Sequence, residues 1–129
     1  VTLRVPAGDG RISLVSREDA GRCLAILATS APTGLHHDIT GPAALSMDAV
    51  ADVVTRTSPE PVRYVDVEPR THVAELANSG ADAWWTQAFS TMFASVREQR
   101  WDTVSDEVRR ITGTAPLSLA DVLDSSARV

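Results

Sequence analysis

Between Leu35 and Val54 the chain switches from one hydrophobic period to another, and that switch limits the folds open to it. Leu35-His36-His37-Asp38-Ile39 has the length of a short strand, and Thr40-Gly41-Pro42 is a turn. Ser46 then opens a helix with apolar residues at Val50, Val53 and Val54, the spacing of one buried face. The Ser46 hydroxyl can accept from the free N–H groups of the first turn, and Asp48 adds negative charge at the positive end of the helix dipole. A strand–turn–helix of this kind belongs to a layered α/β fold, in which the helix covers a sheet. Only two other runs read as strands, Arg11–Val15 and Val62–Val67. Strands separated by helices are parallel by default, and three of them need neighbours to pair with. The expectation is part of a larger fold: α/β, with about six helices and three short parallel strands.

The helices announce themselves by their caps. Ser16 precedes Glu18 and Asp19, and Ala20, Cys23, Leu24 and Leu27 follow on one face. A short helix over 70–79, with Val73 and Leu76 inward, closes at Gly80. From Asp82 runs the strongest helix, with Trp85, Phe89, Met92, Phe93 and Val96 in one stripe and Trp84 and Ala88 beside it. Residues 104–113 form another helix ending in glycine, and Ser118 caps a last one with Leu119, Val122 and Leu123 inward. Residues 1–10 end in the turn-rich Pro6-Ala7-Gly8-Asp9-Gly10. Gly8-Asp9-Gly10-Arg11-Ile12-Ser13 begins like a dinucleotide fingerprint but has Ser13 in place of the third glycine and no helix after it, so it is rejected as a phosphate cradle.

A net charge of −5 over 129 residues argues against a nucleic-acid partner held through phosphates. All twelve basic residues are Arg, so lysine-dependent chemistry is excluded within this stretch. No apolar run is long enough to cross a bilayer and no signal-peptide pattern is present, so no membrane partner is expected and the expected location is the cytoplasm. The single cysteine, Cys23, excludes an internal disulfide and a cysteine-based metal site. The opening Val1-Thr2-Leu3-Arg4 reads like the interior of a longer chain.

Taken in order, these elements resemble the C-terminal portion of NmrA-like atypical short-chain dehydrogenases, nearest the NADPH-quinone reductase and triphenylmethane reductase branch. The likeness is carried by Pro6–Ile12, Arg17–Ala20, Asp38–Ser46, Pro61–Tyr64, Val104–Val108 and Thr112–Pro116. The resemblance implies a two-part protein whose Rossmann half, with its glycine-rich turn, is missing here and holds NADP or NAD. Residues 1–129 would be the substrate-side portion, with 35–39 the last strand of the absent sheet and the strands at 12–15 and 62–66 paired with each other. No cofactor-binding residue is expected within the chain itself. Three positions depart from the family pattern: His37 stands where a tyrosine is usual, Gln99-Arg100 where Gly-Glu is usual, and Phe93 replaces a tyrosine of the long helix.

The implied reaction is hydride transfer from NAD(P)H to a quinone-like or other conjugated acceptor, with this chain inactive alone. The rival reading is a non-catalytic NAD(P)-sensing regulator of the NmrA type that binds a protein partner. A free-standing interaction module is a third. No catalytic residue is assigned: Tyr64 is the only tyrosine, and Glu68 stands where a Tyr-x-x-x-Lys pair would need lysine. Trp84, Phe89 and Phe93 are candidates to line a flat apolar pocket, and core packing explains the same residues equally well. His37 and Thr40, near the C-terminal end of the expected strand, are candidates to border the same cleft. Neighbouring strand residues face opposite ways, so His36 and His37 do not share a metal ion, and no metal site is expected. Cys23 reads as a buried small hydrophobe. Asp102, Asp106 and Glu107, with Arg109 and Arg110, read as a solvated helix surface. The bare edge of the 35–39 strand offers a route to a homo-oligomer.

Overall fold

The computed structural model describes residues 1–126. Its elements run β1 (Thr2–Val5), β2 (Arg11–Ile12), α1 (Arg17–Thr29), β3 (Leu45–Ser46), α2 (Met47–Thr57), β4 (Arg63–Asp66), α3 (Pro69–Asn78), α4 (Ala83–Arg97), α5 (Glu107–Thr112) and α6 (Leu119–Ser126). They form two compact units. The first comprises Val1–Ile12 and Leu45–Asp102, the second Ser13–Ala44 and the chain from Thr103 onward.

In the first unit β4 pairs in parallel with β1, in a register that sets Leu3 opposite Tyr64 and Val5 opposite Asp66. Thr2–Val5 was expected to lead into a loop, yet its Leu3 and Val5 alternate as strand residues do and pack toward the core. The expected pairing of 12–15 with 62–66 is therefore corrected: the 62–66 partner is β1. The 11–15 run shortens to β2, which pairs antiparallel with β3 through Arg11 opposite Ser46 and Ile12 opposite Leu45. Val5, Ala7, Met47 and Val96 form the core, with Leu3, Ile12, Val50, Tyr64 and Phe93 packed against it. Gly10 lies so close to the end of α4 that a Cβ there would stand 2.0 Å from the Val96 carbonyl oxygen. Only glycine permits that approach.

The α3 face is rotated from the expected one. His72 is buried, whereas Val73 is exposed. A polar residue on the inner face and an apolar one outside defeats a reading based on hydrophobic spacing alone. The α4 stripe is graded rather than uniformly buried: Val96 is fully enclosed, Met92 and Phe93 are half-buried, and the first-turn tryptophans are open.

In the second unit α1 packs on α5 around Cys23 and Val108, both fully buried. Leu24, expected on that inner face, is exposed. The cap of α1 forms as expected, the Ser16 hydroxyl accepting from the Asp19 N–H at 2.9 Å. Gly41 is buried where a Cβ would stand 1.7 Å from the Leu14 carbonyl oxygen, which brings the 40–42 turn against the segment before α1. Residues 35–39 are extended and pair with no strand among the described residues. No described helix is long and apolar enough to cross a membrane.

Candidate functional site

Of the five expected pocket residues, Trp84, Phe89 and Phe93 belong to the first unit, and His37 and Thr40 to the second. In the first, Asp82 caps α4 by accepting from the Trp85 N–H at 2.9 Å, which sets Trp84 and Trp85 side by side in the opening turn. Their rings meet edge to face, centroids 4.8 Å apart, and Trp85 stacks on Phe89 at 5.5 Å with 25° between planes. Trp84 is 68% exposed, Trp85 50% and Phe89 36%. An open, mutually braced aromatic surface of this kind can stack a flat conjugated molecule. Phe93, a turn further along, rests against the core and receives His72 edge to face at 5.6 Å. The His72 Nε2 atom is buried with no hydrogen-bond partner.

The C-terminal ends of the two parallel strands carry a polar network. Asp66 Oδ1 accepts from the Gly8 N–H at 3.0 Å, the Tyr64 hydroxyl at 3.1 Å and Arg97 Nη2 at 2.6 Å. Arg97 Nε donates to the Pro6 carbonyl at 3.0 Å, and the Tyr64 hydroxyl also reaches the Gly8 carbonyl at 3.1 Å. Burial raises the Tyr64 phenol, and the Asp66 charge and hydrogen bond raise it further, to about 12. Burial alone would raise Asp66 as well, but the Gly8 N–H, Arg97 and the Tyr64 hydroxyl together hold it below its usual range. Tyr64 is thus a braced strand residue held protonated at neutral pH. The 6–10 loop does not fit a dinucleotide phosphate, since its Gly8 N–H is taken by Asp66, its Gly10 N–H by the Ala7 carbonyl, and Gly10 abuts Val96. Cofactor steps therefore have no seat in this loop.

In the second unit His37 Nδ1 meets Glu107 Oε2 at 2.6 Å, across seventy residues of sequence. Arg110 Nη2 holds the same carboxylate at 2.6 and 2.7 Å from its two oxygens. The hydrogen bond from His37, then that from Arg110, keeps Glu107 below its usual range. Glu107, expected on a solvated face, instead has a side chain only 17% exposed; Arg109 and Asp106 do stand in solvent. Thr40 is buried, its hydroxyl accepting from the Ser105 N–H at 2.9 Å and donating to the Gly41 carbonyl at 3.0 Å. The Ser105 hydroxyl returns a bond to the Asp38 carbonyl. His36 is exposed. Burial pushes the Cys23 thiol up, away from nucleophilic reactivity. Asp19, 1% exposed, accepts from Ser16 Oγ and the Leu117 N–H at 2.8 Å and from Arg22 Nη2 at 2.9 Å.

The sequence reading missed Asp66, Arg97, Glu107 and His72. Only Glu107 carried a signal, an acid at the start of a helix; the others are matched to partners far away in the chain.

No protein-family model matches the chain. Among curated relatives, Prestalk A differentiation protein A of Dictyostelium discoideum is 29% identical over 118 residues, covering 91% of this chain and 39% of its own length. Agroclavine dehydrogenase of Claviceps fusiformis is 28% identical over 131 residues, covering 99% and 45%. Among solved structures, an NADPH-dependent quinone oxidoreductase from Escherichia coli, complexed with NADPH, superposes with a TM-score of 0.89 at 19% identity, over 97% of this chain and 44% of that one. The chain thus spans less than half the length of these relatives. The resemblance to NmrA-like atypical short-chain dehydrogenases holds at the level of fold.

Proposed function

We propose that this chain is the acceptor-side portion of an NAD(P)H-dependent oxidoreductase that passes hydride to a quinone-like or other conjugated acceptor. NADP or NAD is bound mainly by chain outside residues 1–129, and the bound cofactor supplies the hydride. What these residues contribute is binding and orientation. Trp84 and Phe89 offer the acceptor an aromatic face, and Phe93 backs it from the core side. Tyr64 moves no proton, because its hydroxyl is engaged and its pKa lies near 12. His37 and Thr40 are held as further cleft residues of the second unit. Residues 35–39 would join the sheet of the longer protein, and the same edge is a route to self-association.

The observation that supports this reading most is the exposed Trp84–Trp85–Phe89 surface, on a chain with the fold of an NADPH-dependent quinone oxidoreductase. The test is NADPH oxidation by the full-length protein with a naphthoquinone, with and without Trp84→Ala and Phe89→Ala. Turnover whose KM rises several-fold in the variants supports the reading. Turnover unchanged by both substitutions, or none with any conjugated acceptor, overturns it.

A second reading, the NAD(P)-sensing regulator that binds a protein partner, is favoured by one observation: a relative at 29% identity is named for differentiation and not for a reaction. Full-length protein that binds NADPH but reduces no conjugated acceptor would decide for it.

A further inference from the structure

Within the second unit a groove of about 410 Å³ is walled by Ile26, Leu27, Leu35 and Ile111, with His37 on its lining. His37 is otherwise engaged through one ring nitrogen, its Nδ1 lying 2.6 Å from Glu107 Oε2. Arg110 grips both oxygens of that carboxylate, which favours its ionised, acceptor-only form. The proton in the His37–Glu107 contact accordingly belongs to Nδ1, so in the neutral imidazole Nε2 carries a lone pair. A carboxylate that fixes a histidine tautomer also raises the basicity of the opposite nitrogen. The groove therefore combines apolar walls with one oriented acceptor.

We propose that this groove is a binding site for a small phenol, its ring against the aliphatic walls and its hydroxyl donating to His37 Nε2. An apolar molecule without a donor leaves the imidazole lone pair unmatched, which costs affinity. A cation needs several ligands, and no group of three or more candidate metal-binding side chains occurs among the described residues. The site stands apart from the oxidoreductase reading, so its failure leaves that reading untouched.

The test is a titration of the 129-residue chain, with ¹⁵N-labelled histidine, using phenol and its methyl ether, anisole. At neutral pH the His37 Nε2 resonance is expected in the unprotonated region and moves as phenol saturates, while anisole binds at least tenfold more weakly. Glu107→Gln is expected to weaken phenol by a similar factor; should that variant not fold, the phenol–anisole pair on the unaltered chain decides alone. A protonated Nε2 on a neutral ring, equal binding of the two probes, or shifts confined to the Trp84 and Trp85 indoles would each overturn the proposal.

Discussion

Arg97 donates from Nη2 to Asp66 Oδ1 at 2.6 Å, tying the last residue of α4 to the last residue of β4. Through Arg97 Nε and the Gly8 N–H, the same pair holds the 6–10 loop that follows β1. One carboxylate oxygen thus joins three elements of the first unit. Asp66→Ala removes three acceptor contacts. Because the side chain is 43% exposed, solvent replaces part of them, and the expected loss is about 1–2 kcal/mol. Urea denaturation followed by circular dichroism reads it; a midpoint unchanged from the parent would show that the network contributes nothing.

The same carboxylates set the acid limb of stability. Asp66 and Glu107 both have folded pKa values below their ordinary ones. Each binds a proton less readily in the folded chain than in the unfolded one. Their contribution is therefore complete above the unfolded carboxylate range, about 4, and disappears as pH falls through the lower folded values. Denaturation midpoints are expected to be flat from neutrality to about pH 5 and to decline below it. In Asp66→Asn that decline should be shallower; an identical slope would remove Asp66 from the account.

Three glycines give opposite signs. An alanine Cβ at Gly10 or Gly41 would meet a backbone carbonyl oxygen at 2.0 or 1.7 Å, which no side-chain rearrangement relieves. Gly10→Ala and Gly41→Ala should each cost about 3 kcal/mol or more, on the scale of severe overpacking. Gly21 lies inside α1, exposed and with nothing within 4 Å of an added Cβ. Gly21→Ala should stabilise by about 0.5–1 kcal/mol, through helix propensity. Thermal melts of the three variants order them; a destabilised Gly21→Ala would contradict the packing described.

What the sequence disclosed and what it hid divide by distance along the chain. The caps at Ser16, Ser46 and Asp82 act over three residues and were readable, as were the six helices they open. The strand pairing was not. Which partner β4 takes depends on sixty intervening residues, and the alternating Leu3 and Val5 were overshadowed by the Pro6–Gly10 turn. His72 deceived the periodicity because a histidine, not Val73, turns inward. The five expected pocket residues were chosen for chemistry, and they divide between two units. The partner of His37, Glu107, comes from the opposite end of the second unit's sequence, and no local pattern could link them.

The open tryptophans make the acceptor surface directly observable. Trp84 and Trp85 are at least half exposed and Trp85 stacks on Phe89, so a flat quinone that adds to the stack lies within contact of both indoles. Contact of this kind quenches indole fluorescence. The third tryptophan, Trp101, is 42% exposed at the far end of the first unit's sequence, so Trp101→Phe gives a background that reports on the α4 pair alone. In that background a naphthoquinone should quench saturably, and Phe89→Ala should weaken the apparent affinity about five- to tenfold, the loss of one aromatic contact worth about 1 kcal/mol. Phe89 lies on the exposed side of the helix, so its removal should leave the melting temperature nearly unchanged. Linear, non-saturating quenching, equal in both proteins, would mean that the quinone only collides with exposed indoles and that this surface binds nothing.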